Sequence, residues 1–74
     1  MRQDLERTAI SSSSVADIGY DPETQVLEVG FIKGGVYQYY GVPPAVYDEF
    51  FYAGSKGTFL NQRIKPFYAY AKVG

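Results

Sequence analysis

The chain has 74 residues, a formal net charge of −1, and neither cysteine nor histidine. This length allows one domain, which buries only ~60% of the surface of the unfolded chain, so a small free energy of unfolding is expected. The composition excludes a disulfide framework, a thiolate or imidazole metal site, and a histidine base acting near pH 7. The apolar runs are too short to span a membrane and residues 1–4 do not begin a signal sequence, which favours a cytoplasmic protein.

Charge is divided unevenly along the chain. All eight acids lie in residues 1–49, together with Arg2, Arg7 and Lys33. From residue 50 onwards every charged residue is basic, and aromatic residues alternate with them. Such a segment can present an anion-binding face, or its charges can simply keep an apolar C-terminus in solution. The basic residues are Lys56, Arg63, Lys65 and Lys72, and the aromatic residues among them include Phe59, Phe67, Tyr68 and Tyr70.

The first fourteen residues give little indication of regular structure. Residues 1–10 have mixed charges and no helix cap, so they are predicted to form a flexible or weakly docked arm before a single domain at residues 11–74. Residues 11–14 are four serines, which is typical of a linker or the lead-in to a strand. A phosphate-binding loop is the alternative, but no glycine frame or lysine accompanies the serines.

Three strands of an antiparallel meander are predicted next. A type I turn at Asp21-Pro22-Glu23-Thr24 joins the first two, and Lys33-Gly34-Gly35 joins the second to the third. Large apolar residues recur at every second position, as in half-buried strands. They are Ala16, Ile18 and Tyr20 in the first strand, Leu27, Val29 and Phe31 in the second, and Tyr37 and Tyr39 in the third.

The hairpin loop decides which side chains share a face. A three-residue loop with Gly35 at positive φ sets Phe31 opposite Tyr37 and Val29 opposite Tyr39. A two-residue Gly34-Gly35 turn would shift the register by one and send the tyrosines to the opposite face from Phe31. The first register is preferred because it buries the large side chains of both strands. It leaves Glu28, Gly30 and Gln38 facing water.

Two short helices are predicted after the strands. Pro43 and Pro44 end the third strand, and Pro44 suits the first position of a helix. Residues 44–53 have the spacing of an amphipathic helix, with Asp48 and Glu49 in water. Its inward residues are Val46, Tyr47, Phe50, Phe51 and Ala53. The predicted fold is therefore α+β, a three-stranded antiparallel β-meander followed by two short helices packed on one face.

The second helix is predicted over residues 56–64, with Ser55 as its cap and Gly54 ending the preceding helix. Phe59, Leu60 and Ile64 point inward. Pro66 blocks continuation, and residues 67–70 are predicted to fold back over the sheet or the helices.

Catalytic chemistry is not indicated by any group of residues. Asp48 and Glu49 point apart on a helix, and the acids at positions 21 and 23 are explained by the turn. Residues 54–58 have the wrong order for a phosphate-binding loop of the G-x-x-x-x-G-K-[ST] type. The chain is expected to be no enzyme and to bind no cofactor, metal or membrane.

One feature of the second helix points to ligand binding. Ser55, Lys56 and Gly57 place bare backbone N–H groups beside a cation, where an anion can bind. The alternative is that Gly57 lets the helix approach the first helix or the sheet closely.

Several stretches stand in a distinctive order along roughly residues 8–70. They are Ser12-Ser13, Val15, Ile18, Gly19-Tyr20-Asp21, Leu27-x-Val29-x-Phe31, Gly35-x-Tyr37-x-Tyr39, Val42-Pro43 and Ser55-Lys56-Gly57-x-Phe59-x-Asn61-x-x-Ile64. None is specific alone, but their order and spacing together resemble the KTSC domain family. This family is named for the C-terminal extension of some lysyl-tRNA synthetases and also occurs as free-standing small bacterial and phage proteins. Its central mark is the Y-x-Y pair, here Tyr37 and Tyr39.

The resemblance implies the α+β fold and suggests RNA binding. The chain departs from the family pattern at Gly54, which stands between Ala53 and Ser55 where the family runs Ala-Ser.

Two classes of function stay open. A module for RNA or single-stranded nucleic acid would use a basic and aromatic face, with Lys33 in the hairpin turn away from it. A protein-interaction module would use exposed tyrosines and the sheet edge. The Y-x-Y tyrosines are predicted to pack in the core, although the family suggests a stacking platform. The candidate nucleic-acid residues are Lys56, Arg63, Lys65, Tyr68 and Tyr70.

Overall fold

A five-stranded antiparallel sheet is covered on one face by two helices. The computed structural model describes residues 5–74. The strands lie side by side in the order in which they occur along the chain. This confirms the predicted α+β class. The predicted three-stranded meander forms the centre of the sheet, and one further short strand pairs with it at each edge. The strands are β1 (Thr8–Ala9), β2 (Val15–Asp21), β3 (Val26–Phe31), β4 (Gly35–Tyr40) and β5 (Tyr70–Lys72), and the helices are α1 (Pro44–Phe51) and α2 (Lys56–Phe59).

The hairpin between β3 and β4 has the predicted three-residue loop at a different position. Its loop is Ile32-Lys33-Gly34, and Gly35 opens β4 opposite Phe31 with φ of 83°. Val29 therefore pairs with Tyr37, a shift of two residues from the predicted pairing. Since side chains alternate with a period of two, this shift leaves every one on its predicted face. The positive φ is the conformation that glycine adopts without strain, as predicted for Gly35.

The C-terminal aromatic segment folds back as an edge strand. In β5, Tyr70 pairs with Tyr39 and Lys72 pairs with Tyr37. The pairing continues at both ends, where the Tyr40 amide donates to the carbonyl of Ala69 at 2.9 Å and the Val73 amide to that of Val36 at 2.8 Å. The aromatic content of residues 67–70 predicted that the chain folds back over the sheet or the helices, whereas it pairs with β4 at the edge of the sheet.

At the other edge, β1 lies in the segment predicted to be a flexible arm. Thr8 pairs with Ile18 and Ala9 with Asp17, so residues 8 and 9 belong to the sheet. The Ile10 amide also donates to the carbonyl of Ala16 at 3.1 Å. The arm's residues 1–4 lie outside the described residues. A strand of two residues leaves too short an alternation to be recognised in a sequence.

Arg7 covers the outer face of the sheet, opposite the helices. Its guanidinium forms an ion pair with Glu28 through Nη1. Its Nε lies 3.0 Å from Oδ1 of Asp17, a contact without hydrogen-bond geometry. Gln38 donates from Nε2 to Oε1 of Glu28 at 2.8 Å. A Cβ at Gly30 would collide with the Asp17 carboxylate, so this glycine makes room for the cluster.

The prediction that Glu28 and Gly30 face water was therefore wrong, and Gln38 is half-buried. Only 3% of the Glu28 side chain is exposed. The alternation placed these residues on the correct side of the sheet. It could not show that an arginine 21 positions away would cover them.

The helices supply the other half of the core. Helix α1 starts at Pro44 as predicted and buries Phe50 completely, but it ends at Phe51, which is 40% exposed rather than inward. Ser55 caps α2 by accepting a hydrogen bond from the Thr58 amide at 3.3 Å, as predicted. Within residues 5–74, no helix is long and apolar enough to cross a membrane. The fully buried core consists of Val15, Ile18, Leu27, Val29, Tyr39, Val42, Phe50, Leu60 and Ile64.

Beyond Phe59 the second helix widens into a π-helical turn, Leu60–Ile64. Its mark is the hydrogen bond from the Lys65 amide to the carbonyl of Leu60, at 2.8 Å. The turn keeps both Leu60 and Ile64 buried, which the predicted helical spacing also required. Insertions of this kind are frequent at functional sites.

Tyr39→Ala should lower the free energy of unfolding by about 3 to 5 kcal/mol, because it empties the centre of the core. Native domains have a total of about 5 to 15 kcal/mol, and one this small should lie near the low end, so the loss should leave the variant close to unfolding at 37 °C. Urea denaturation is the measurement. Tyr40→Ala is the control, since Tyr40 is exposed on the opposite face of the same strand. Equal effects of the two substitutions would contradict the assigned faces.

Arg7→Leu should cost about 3 kcal/mol, because it leaves the Glu28 carboxylate buried without its cation. The double variant Arg7→Leu/Glu28→Gln should recover more than half of this loss, since the unpaired charge is gone. Arg63→Leu removes the exposed pair with Glu49 and should cost less than ~1 kcal/mol. The measurement is the free energy of unfolding from chemical denaturation of the wild type and the three variants. If Arg7→Leu lowers this free energy no more than Arg63→Leu does, the ion pair between Arg7 and Glu28 has no structural role.

Candidate functional site

A groove opens beside the β3–β4 hairpin on the helix side of the sheet. Its volume is about 720 Å³, within the range of known small-ligand sites. Four separate parts of the chain meet there: the serine loop before β2, the hairpin, the end of the π-helical turn and β5. The lining residues are Ser13, Ser14, Phe31, Ile32, Lys33, Gly34, Tyr37, Tyr39, Lys65 and Tyr70.

Aromatic rings form one wall of the groove. Tyr37 meets Phe31 edge to face, with ring centroids 5.7 Å apart. Tyr70 lies across both tyrosines of the Y-x-Y pair, at 6.0 Å from Tyr37 and 5.8 Å from Tyr39. Tyr39 is buried and Tyr37 half-buried, whereas 60% of Tyr70 is exposed. The wall therefore runs from the core to the surface, and its outer ring is free to stack on a planar ligand.

The polar lining is basic. Lys33 stands in the hairpin loop and Lys65 directly after the π-helical turn. The Lys65 ammonium lies 5.5 Å from the Phe31 ring centroid, a cation–π contact that holds it at the groove. Among the residues that the structure describes, no acid lines the groove. The site can thus attract an anion without a competing carboxylate.

The four-serine run contributes hydroxyl groups to the same groove. The Ser12 hydroxyl accepts hydrogen bonds from the amides of Ser14 and Val15, at 3.3 and 3.2 Å. The Ile32 amide donates to the carbonyl of Ser14 at 3.0 Å, which ties the serine loop to the hairpin. The run is a strand lead-in, as predicted, and it also places the side chains of Ser13 and Ser14 at the groove.

The structure does not bring all the predicted basic residues together. Of the predicted nucleic-acid residues, Lys65 and Tyr70 line the groove. Lys56 donates from Nζ to the carbonyl of Ala53 at 2.8 Å. Arg63 pairs with Glu49 at 2.8 Å and lies 5.1 Å from the Phe59 ring centroid. Tyr68 is half-buried against the core.

The predicted anion site at the start of α2 has its own local partners. The Ser55 hydroxyl accepts from the Thr58 amide and donates to the Thr58 hydroxyl at 2.9 Å. A Cβ at Gly57 would lie 2.7 Å from Oγ of Ser14. The geometry fits the alternative that Gly57 permits close approach, and the element approached is the serine loop, which the sequence interpretation had not considered.

Lys33, Ser13 and Ser14 line the groove but were not among the predicted site residues. The sequence predicted Lys33 to lie away from the basic face, and it indicated a linker or strand lead-in for the serines. Lys33 and Lys65 are 32 positions apart, and the π-helical turn, which buries Leu60 and Ile64, places Lys65 beside the hairpin. The available signal was the position of Lys33 beside two glycines in a hairpin loop, where a side chain is exposed.

Burial determines the chemistry of the central tyrosine. It raises the pKa of the Tyr39 phenol above its usual value, and the neighbouring Tyr37 and Tyr70 add to the rise. At neutral pH the hydroxyl is therefore protonated and able to donate. Within residues 5–74, no group of three or more acidic, histidine or cysteine side chains is placed to hold a metal ion.

These features define a small α+β domain with a basic, aromatic groove. Residues 11–70 match the KTSC domain, so the chain belongs to the KTSC domain family. The resemblance noted in the sequence is thereby confirmed.

Both solved structures and sequences agree with this assignment. The crystal structure of a KTSC domain protein from Yersinia pestis superposes with a TM-score of 0.91 at 41% identity, covering 96% of this chain and all of that one. An uncharacterized protein of Stutzerimonas stutzeri is 47% identical over 62 residues, covering 84% of this chain and 87% of its own. The lysine–tRNA ligase of Nostoc punctiforme is 40% identical over 53 residues, covering 72% of this chain but 9% of the ligase. The domain thus occurs both alone and as a small part of a ligase.

The raised pKa of Tyr39 predicts a loss of stability in alkali. Unfolded tyrosine ionises near pH 10, whereas the buried phenol resists ionisation, so its contribution is complete below about pH 10 and is lost as the pH rises through the folded pKa. Tyr39→Phe should therefore lose less unfolding free energy than the wild type as the pH rises above about pH 10. Urea titrations at several pH values give the answer, with Tyr40→Phe as control. Identical pH profiles for wild type and Tyr39→Phe would count against the shift.

Proposed function

We propose that this domain is a non-catalytic accessory module that binds RNA or another single-stranded nucleic acid in the groove beside the β3–β4 hairpin. One observation carries the proposal: two lysines and an exposed tyrosine converge on a groove that no described acid lines. Single-stranded nucleic acids are bound by this combination, because cations meet the phosphates and aromatic faces stack on the bases.

Each part of the groove has a role in this proposal. Lys33 and Lys65 stand at its polar side and contact successive phosphates. Tyr70 offers its exposed ring to one base, and its contacts with Tyr37 and Tyr39 hold that ring in place. The hydroxyls of Ser13 and Ser14 are short donors suited to phosphate oxygens or to a ribose 2′-hydroxyl, the group that distinguishes RNA from DNA.

The relatives support RNA over other anions. Three lysine–tRNA ligases, from two Nostoc strains and Trichormus variabilis, contain a segment similar to this chain, at 34% to 40% identity. Such an enzyme handles tRNA, and a small domain attached to it is well placed to add a second contact to the RNA. The chain described here is proposed to have the same binding capacity.

The proposed binding is weak, which suits an accessory role. Two phosphate contacts on a single strand release ~1.4 counterions, since each contact contributes ~0.7. The salt dependence of binding should accordingly be shallow. One stacked base adds about 1 to 3 kcal/mol to the binding free energy. The groove alone is therefore proposed to bind RNA weakly and to strengthen the binding of an RNA that is also held by other contacts.

The Lys33→Gln/Lys65→Gln variant should lose most affinity for a fluorescein-labelled decauridylate, and its negative slope of log K against log salt should become shallower by ~1.4. Anisotropy titrations between 20 and 200 mM salt are the measurement. The matched control is Lys56→Gln/Arg63→Gln, which removes two charges outside the groove and should bind nearly as well as the wild type.

Tyr70→Ser tests the stacking contact separately and should weaken binding without changing the salt slope, because no charge is removed. Three results would overturn the proposal. They are no binding of the decauridylate by the wild type at 20 mM salt, an equal loss of affinity in the two double variants, or a Tyr70→Ser variant that binds as tightly as the wild type.

A further inference from the structure

A second surface lies at the other end of the sheet. It consists of Tyr20, Tyr47, Phe51 and Tyr52, here called the aromatic ladder. The rings of Tyr20 and Tyr47 stack with centroids 4.4 Å apart and planes 6° from parallel. Phe51 follows at 6.1 Å from Tyr47, and Tyr52 meets Phe51 edge to face at 5.1 Å. Four rings from one strand and one helix thus form a continuous series.

The ladder is anchored at one end and exposed at the other. Tyr20 and Tyr47 are half-buried against the core, and the Tyr20 hydroxyl donates to the carbonyl of Val42. Phe51 is 40% exposed and Tyr52 is 81% exposed. Two adjacent exposed aromatic residues at a helix end contribute nothing to the core. Contiguous exposed apolar surface on a small protein is typical of an interaction site.

The charge around the ladder is negative. Asp48 lies in α1 next to Tyr47, and Asp21 follows Tyr20 at the end of β2. Both carboxylates are close enough to raise the pKa of the Tyr20 phenol further, after the effect of burial. Within residues 5–74 neither of these acids forms an ion pair. The cation nearest in sequence, Lys56, already donates to the carbonyl of Ala53.

We propose that the aromatic ladder is a docking surface for a positively charged protein segment. An arginine or lysine side chain lying over Phe51 or Tyr52 would make cation–π contacts, and Asp48 and Asp21 would pair with its neighbours in the segment. The charge complementarity favours this partner over a neutral apolar one, which would leave two carboxylates desolvated and unpaired. Asp21 and Asp48 also make this surface less suited to nucleic acid than to a cationic segment.

The ladder and the groove lie at opposite ends of the sheet. In the pairing of β2 with β3, Val15 and Phe31 stand at the groove end, whereas Asp21 and Val26 stand at the ladder end. Six residue steps at ~3.3 Å separate these ends by about 20 Å. This distance exceeds the ~8 Å over which charges interact at physiological ionic strength. The two surfaces can therefore be occupied at once and independently.

A direct test uses the full chain and a labelled decapeptide of alternating arginine and glycine. NMR titration of the ¹⁵N-labelled protein should shift the amides of residues 20–21 and 47–52. In anisotropy titrations, the Asp48→Asn/Tyr52→Ser variant should bind the peptide at least tenfold more weakly than the wild type, because it lacks one carboxylate and one aromatic ring of the proposed surface. Both substituted side chains are exposed, so the variant should still fold. The variant is folded if its NMR spectrum matches that of the wild type for residues outside the ladder.

The matched control is Phe67→Ser, which removes one exposed aromatic residue outside the ladder and should bind the peptide like the wild type. Lys33→Gln/Lys65→Gln should also leave peptide binding unchanged, which separates this test from that of the nucleic-acid groove. A peptide with citrulline in place of arginine should not bind.

Several results would overturn the proposal. They are equal affinity of the ladder variant and the control, equal binding of the citrulline peptide, or shifts centred outside residues 20–21 and 47–52. Concentration-dependent self-association in ultracentrifugation that disappears in Asp48→Asn/Tyr52→Ser would instead identify a second copy of the chain as the occupant.

Discussion

The register of the β3–β4 hairpin is the constraint on which the other features depend. Gly35 takes a positive φ at the end of the loop, and this sets Leu27 opposite Tyr39 in the core. Strand β5 then pairs with β4, so the position of Tyr70 over the groove follows from the same register. The loop also carries Lys33 to the rim of that groove. A slip of one residue would turn the tyrosines away from the helices and remove both the core and the groove wall.

A domain of this size has little interior, and it uses both faces of its sheet. The helix side forms the apolar core. On the outer face, Arg7 covers Glu28 and Asp17, so a charged cluster takes the place of a second apolar layer. A buried ion pair adds little to stability by itself, but it fixes one arrangement, because any register that separates the partners leaves a buried charge. The two-residue strand β1 is thus held by a side-chain contact as well as by its few backbone hydrogen bonds.

The distribution of charge gives the two ends of the sheet different chemistry. The groove end presents lysines and hydroxyl groups, and the ladder end presents aromatic rings between carboxylates. In our proposals, the first binds a polyanion and the second a cationic protein segment. A module of this kind would join an RNA to a protein without catalysing a reaction itself. The small net charge of the chain hides this arrangement, since opposite charges at the two ends cancel in the sum.

The sequence by itself determined the elements that depend on neighbouring residues. Alternation gave the face of the large side chains in β3 and β4, because strand periodicity is local. In β2 it held for Ile18 and Tyr20, but a bulge between Val15 and Asp17 breaks the alternation and places Val15 in the core. Pro44 and Ser55 marked helix starts for the same reason, since proline geometry and capping act within one turn. Only the tertiary structure decided the distant pairings: the addition of β1 and β5 to the sheet, the burial of Glu28 beneath Arg7, and the meeting of Lys33 with Lys65. Strands of two or three residues carry too short a pattern to be recognised, and a salt bridge across the sheet leaves no periodic trace. Of the groove lining, the sequence singled out Lys65 and Tyr70 as candidate site residues, whereas Lys33, Ser13 and Ser14 join them only through the packing of distant segments.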